Sequence, residues 1–210
     1  MPLWNRWGGQ IPVGVREKLM LPVQQLITSG AAEGALKEGE RVEDFTLPNA
    51  LGRPVTLSHL LKEGPVVINF YRGSWCPYCN LELRAYQQAL PQLRALGASL
   101  VAVSPQTPDS SLTMAEKSGL TFPVLSDVGN RVARRFGLVF TIDEAVRAAH
   151  QQMGADLPAF NGDQSWELPI SGTFLIDWDG TVRLAFVNPD FTRRLDPAVV
   201  IAKLKELQGA

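Results

Sequence analysis

Two cysteines stand three positions apart, and the 210-residue chain has no others. They close the stretch Val66-Val67-Ile68-Asn69-Phe70-Tyr71-Arg72-Gly73-Ser74-Trp75-Cys76-Pro77-Tyr78-Cys79, in which a continuous apolar run gives way to a C-x-x-C motif. Pro77 is placed to open a helix, which sets the Cys76 sulfur at a helix N-terminus and Cys79 about one turn further in. Unsatisfied amide groups and the positive end of the macrodipole favour a thiolate there. Cys76 is therefore expected to ionise below the ordinary thiol value of roughly 8.5 and to be the nucleophile. Cys79 is placed to attack a mixed disulfide or a sulfenic acid on Cys76 and close a short, reducible ring. A zinc site would need about four ligands, and the only histidines, His59 and His150, are far from the motif and from each other in the sequence. A structural staple is disfavoured because so small a ring removes little unfolded-state entropy. The pattern points to dithiol redox work, with two incidental core cysteines as the plain alternative.

Composition narrows the setting. A chain of this length with 45% hydrophobic residues can bury a substantial core, and one large domain is expected. A net charge of -1 gives no general attraction for nucleic acid or anionic membrane, so neither partner is expected. The longest apolar runs fall short of the roughly 18 residues of a membrane helix, and Met1 to Gln10 lacks the apolar core of a signal peptide. A cytoplasmic protein is expected, in which a lone C-x-x-C stays mostly a dithiol.

The surrounding pattern places the motif. Residues 1–38 read as an N-terminal helical extension, with a helix over about 13–35 broken at Pro22. This helix packs on the core of its own chain or makes a homodimer contact. The domain proper, 39–210, starts with a hairpin around Pro48-Asn49-Ala50-Leu51-Gly52, and Ser58 caps a short helix through Lys62. Val66 to Tyr71 reads as a central strand, and Leu83, Tyr86, Leu90 and Leu93 recur at helical spacing, giving a helix from Pro77 to about Leu96, bent at Pro91. Ser99 to Ser104 is then a parallel neighbour of the first strand, reached by a right-handed crossover. Helices follow over about 108–118, 128–136, capped by Asp127, and 144–153, capped by Asp143, with a short strand at 122–126 and an edge strand at 138–142. A loop covers about 154–169. A hairpin turns at Asp177-Trp178-Asp179-Gly180, and Asp196-Pro197 opens the last helix. The order implies an α/β fold, a central mixed sheet flanked by helices.

Trp75-Cys76-Pro77-Tyr78-Cys79 after a buried strand resembles the active site of the thioredoxin superfamily. Asp44-Phe45-Thr46-Leu47, Phe122-Pro123-Val124-Leu125-Ser126-Asp127 and Thr173-Phe174-Leu175-Ile176-Asp177 narrow the resemblance to its peroxiredoxin-like branch, the alkyl hydroperoxide reductase and thiol-specific antioxidant family. It covers about residues 39–208. The resemblance implies a thioredoxin-like fold and a cysteine peroxidase without metal or organic cofactor, acting on small hydroperoxides. Cys76 would be oxidised to a sulfenic acid and resolved by Cys79, and an external thiol such as thioredoxin or glutathione would restore the dithiol.

The chain departs from that family at named positions. The hydroxyl residue three before the cysteine is Gly73, with Ser74 one place nearer, and the family proline is Asn69. The family arginine would fall near Ser171, where the chain has none, which leaves Arg72 as the candidate cation. The cis-proline of thioredoxins would also fall near Ser171, with Pro169 as a displaced candidate. Trp75 shields the sulfurs or simply packs, and Tyr78 tunes their potential by its bulk or its phenol. Two rival readings stand beside a peroxidase: an oxidoreductase acting on protein disulfides, and a non-catalytic redox sensor or binding module.

Overall fold

The computed structural model describes residues 23–152 and 155–209. Five strands form the main sheet in the order β5-β4-β3-β8-β9: β3 (Val66–Phe70), β4 (Ser99–Ser104), β5 (Val124–Ser126), β8 (Gly172–Ile176) and β9 (Val182–Val187). The fully buried run Val66–Phe70 takes the centre, parallel to β4 and antiparallel to β8, as a strand covered on both faces should. The expected hairpin is β1 (Thr46–Pro48) with β2 (Pro54–Thr56), a separate two-stranded ribbon.

Helices cover both faces. Against one lie α1 (Leu57–Leu61) and α4 (Arg131–Arg135), whose Leu57, Val132 and Ala133 share a core with Val66, Ile68 and Phe70. Against the other lie α2 (Pro77–Ala95), α3 (Pro108–Ser118) and α7 (Pro197–Gly209). Their core joins Cys76, Cys79, Leu83, Tyr86 and Leu90 to Val67 and Leu100 of the sheet and to Val200 and Leu204. Alternation along β3 thus sends odd positions toward the cysteines and even ones away.

Several expectations change in detail. Of the predicted N-terminal helix, residues 13–22 and Pro22 lie outside the described residues; 23–28 are helical and 29–35 run through turns. Ser58 does not cap α1: its amide and that of Phe45 both donate to the Asp44 carboxylate. Helix α2 runs through Pro91 without interruption. Asp127 does serve α4, accepting from the amides of Val132 and Ala133. The predicted edge strand does not join the main sheet. As β6 (Val139–Thr141) it pairs with β7 (Glu167–Pro169), part of what read as loop. The same loop contains α6 (Leu157–Asn161). Together with α5 (Glu144–Gln152), these pieces enclose a small satellite core of Ile142, Val146, Ala155, Leu157 and Leu168. Short apolar patches such as Leu157 and Leu168 gain a buried side only when both ends of that segment meet, which local pattern does not reveal.

Candidate active site

Strand β3 delivers the chain to the site and α2 leaves it. Asn69, on the α2 side of β3, is fully buried and donates to Thr173 Oγ1 at 2.9 Å. The chain then turns through residues 71–75. Gly73 has φ +150°, and a Cβ there would lie 2.4 Å from Trp75 Nε1, so a side chain is excluded unless the indole moves. The turn is latched to the loop after β4: Ser74 N–H donates to Gln106 Oε1 at 2.7 Å, and Gln106 Nε2 donates to Ser74 Oγ at 3.1 Å. Asn80 Nδ2 donates to the Ser74 carbonyl at 2.8 Å. Cys76 is the N-cap of α2 and Pro77 its first residue, which places Cys79 in the first turn.

Both sulfurs are reduced and both cysteines have no exposed surface. Arg72 Nη2 donates to Cys76 Sγ at 3.2 Å, and its guanidinium lies 4.0 Å from the ring centre of Phe191 and 5.1 Å from that of Trp75. Arg194 Nη2 donates to Cys79 Sγ at 3.4 Å, while its Nε is 2.9 Å from Glu82 Oε2 in a buried ion pair. Burial by itself pushes the Cys76 thiol up. The hydrogen bond from Cys79 and the charges of Arg72 and Arg194 more than reverse this and hold it well below its ordinary value. Burial, reinforced by the hydrogen bond to Cys76 and its negative charge, pushes Cys79 well above the ordinary value. Both shifts favour Cys76 over Cys79 as the sulfur that ionises.

The source of that stabilisation differs from the expectation. Cys76 Sγ makes no capping hydrogen bond to the amides of α2. The sulfur turns to the guanidinium of Arg72 instead, and a full charge at bonding distance outweighs the partial charge of a helix terminus.

The other candidate residues divide. Trp75 is half-buried; its ring stands edge-on to His150, 4.9 Å between centres, and packs on the satellite core. Tyr78 packs edge-on to Phe191 at 5.7 Å. The Ser74 hydroxyl is engaged with Gln106. Ser171 is buried and directly precedes the Phe70–Gly172 pair that ends the β3–β8 register, and its Oγ has no hydrogen-bond partner among the described residues. Pro169 does not take the displaced cis-proline role: every described peptide bond is trans, and the residue is committed to the β6–β7 ribbon opposite Val139.

Sequence reasoning missed Arg194 and Glu82. Arg194 reads as an ordinary surface arginine before the last helix, and nothing local distinguishes it. Glu82 did leave a signal, since it falls on the apolar stripe of α2 with Cys79, Leu83 and Tyr86, where a charge is out of place. Burial raises its carboxyl to about 7, against the pull of Arg194 and a hydrogen bond with Asn69, and the Cys76 charge adds to the rise. A cavity of about 520 Å³ opens beside the turn, walled by Ser74, Trp75, Asn80, Arg84 and Asp109.

Comparison with known proteins gives a consistent result. Residues 39–185 match the AhpC/TSA family. A putative peroxiredoxin of Mycobacterium tuberculosis is 35% identical over 103 residues, covering 49% of this chain and 67% of the relative. The chloroplastic peroxiredoxin Q of Sedum lineare is 29% identical over 151 residues, covering 72% and 69%. Among solved structures, peroxidoxin BcpB of Mycobacterium tuberculosis superposes with a TM-score of 0.65 and 26% identity, over 82% of this chain and 98% of that one.

Proposed function

The chain belongs to the AhpC/TSA family, and from that premise we propose that Cys76 is its peroxidatic cysteine and Cys79 its resolving cysteine. The protein is an oxidoreductase of the peroxiredoxin type, a thiol-dependent peroxidase that reduces hydroperoxides. The observation that carries the assignment is the asymmetric pair itself: Arg72 donates to the Cys76 sulfur, whose thiol is held below its ordinary value, while the Cys79 thiol is pushed above it beside an arginine already paired with Glu82.

In the proposed cycle the Cys76 thiolate attacks the distal oxygen of ROOH. An S–O bond forms, the O–O bond breaks, and RO⁻ leaves to become ROH with one proton; Cys76 is now a sulfenic acid. The Cys79 sulfur then attacks Cys76. An S–S bond forms, the S–O bond breaks, and hydroxide leaves as water with the proton that Cys79 gives up. Two equivalents of an external thiol, of the thioredoxin or glutathione kind, return the disulfide to the dithiol. No prosthetic group enters this cycle. Because Cys76 has no exposed surface, a hydroperoxide reaches it only as neighbouring side chains such as Arg72 shift.

No described helix is long and apolar enough to cross a membrane. The cytoplasm is the proposed setting, where reducing thiol pools keep such a pair ready. Residues 39–210 form the proposed catalytic domain and 1–38 its extension.

A second reading is favoured by one observation. The peroxide-orienting hydroxyl three residues before the cysteine is replaced by Gly73, where the Trp75 indole leaves no room for a side chain. That reading is an oxidoreductase working on protein disulfides through the same two sulfurs. Stopped-flow mixing of the reduced protein with hydrogen peroxide, followed by Trp fluorescence, separates the two. Rapid oxidation with turnover on adding a reductant supports the peroxidase; reduction of insulin disulfides without peroxide turnover would replace it.

A further inference from the structure

Glu82 is the only charged residue among the buried positions of α2, and its position one turn beyond Cys79 is unexplained by packing. Its carboxylate meets Arg194 at 2.9 Å, and the same guanidinium donates to the Cys79 sulfur. Arg194 is itself buried, its side chain 13% exposed, and its charge acts on Cys79, Glu82 and Cys76 alike. The groups facing this pair are few. Asn69 of β3 and Tyr86 of α2 face Glu82, with Asp196 from the segment before α7 acting on Tyr86, while Tyr71, Arg72 and His150 of α5 face the two sulfurs. Burial keeps Tyr71, Tyr86 and His150 in their neutral forms near pH 7.

The buried charges then balance as a set. Arg72 and Arg194 are the cations; Glu82 and a single thiolate are the anions. We propose that Glu82 is a positioning residue that limits the site to one thiolate and, through Arg194, hands that charge from Cys76 to Cys79 when Cys76 is oxidised. This rests on the reading that Cys76 reacts first.

In the reduced site burial and the Cys76 charge keep Cys79 protonated, and Glu82, by pairing with Arg194, weakens the one cation bonded to the Cys79 sulfur. When peroxide turns Cys76 into a neutral sulfenic acid, one negative charge leaves with the alkoxide. Arg194, already bonded to Cys79 Sγ, then favours loss of the Cys79 proton, which restores the balance. The Cys79 thiolate attacks, the S–S bond forms, and the expelled hydroxide takes up the released proton as water. In the disulfide both sulfurs are neutral, and Glu82 stays ionised against Arg194 through the cycle, as it is in the reduced site.

The test uses the full chain. Thiolate absorbance near 240 nm, titrated on the reduced protein, is expected to show one thiolate per chain at pH 7 to 8. In Glu82→Gln the Cys79 titration is expected to move down by about one pH unit, a tenfold change in its ionisation, so that the second thiolate grows in at correspondingly lower pH than in the natural chain. The pH profile for resolution of the sulfenic acid is expected to shift down with it, and Glu82→Asp to restore both. A folded Glu82→Gln protein in which the second thiolate appears at the same pH as in the natural chain, with an unchanged resolution profile, would overturn the proposal. If that variant does not fold, the infrared difference spectrum of the natural chain at pH 8 decides: Glu82 must be ionised in both redox states, and a protonated carboxyl band appearing on reduction overturns the idea. Thiolate count and infrared spectrum need no peroxide, so their failure is distinct from a failure of peroxidase activity.

Discussion

The two sulfurs share a helix, a motif and complete burial, yet the protein gives them opposite characters. Around Cys76 the wall is the turn that follows β3: Arg72 donates to the sulfur and is itself spread over Phe191 and near Trp75. Around Cys79 the wall comes from far along the chain, where Arg194 reaches the sulfur already committed to Glu82. Burial raises both thiols. At Cys76 the hydrogen bond from Cys79 and the charges of Arg72 and Arg194 overturn it, while at Cys79 the hydrogen bond to Cys76 and its charge add to it. The lesson is that equal burial leaves the neighbours to set the two sulfurs apart.

Removing either sulfur breaks this comparison most severely. Cys76→Ser is expected to reduce the peroxide reaction to background, while Cys79→Ser leaves the first oxidation intact and accumulates a sulfenic acid that dimedone labels. Equal losses in both would end the assignment of separate roles.

The next largest effect falls on stability. Arg194→Met strands Glu82 in the core without its partner, a loss of about 3–5 kcal/mol for a broken buried pair, read as a fall of roughly 10 °C in Tm. An unchanged Tm would show that Glu82 simply protonates at no cost.

Arg72→Met sharpens the electrostatic half of the comparison. Without its guanidinium the Cys76 value rises, so peroxide reactivity at pH 7 is expected to fall about tenfold or more and to recover as pH climbs through the new value. A deficit that stays constant with pH would mean that Arg72 acts on the peroxide rather than on the sulfur.

Gly73→Thr would restore the side chain type of the wider family at that place. Its Cβ meets the Trp75 indole, and the positive φ is strained for a branched residue, together costing about 1–3 kcal/mol. Slower oxidation by peroxide is expected; faster oxidation would show that the hydroxyl matters more than the turn.

The smallest effect is the acid limb of stability. Burial lowers His150 below its unfolded value near 6.5, so the unfolded chain takes up that proton first as pH falls. The His150 contribution is full above that pH and declines below it. His150→Leu is therefore expected to flatten the decline below about pH 6.5, measured by urea unfolding.

The main elements were legible because their signals are local. Five buried residues in Val66–Phe70, the Pro77 helix start and the apolar stripe through Leu83, Tyr86 and Leu90 need no distant partner to be recognised. The satellite core was not, since β6, β7 and α6 are each three to five residues long and gain a buried side only by meeting one another. At the site, Arg72 could be nominated because it lies four residues from Cys76. Arg194 lies 115 residues from Cys79 and carries no local mark.

The sequence by itself determined the dithiol, its strand-to-helix setting and the family pattern around it, because turn chemistry and apolar periodicity act over a few neighbouring residues. The same local logic pointed to Cys76 as the sulfur that ionises. What supports its charge came from the fold: the guanidinium groups of Arg72 and Arg194 and the Cys79 thiol meet at one buried sulfur, and in a low-dielectric interior those distances outweigh the terminus of the helix.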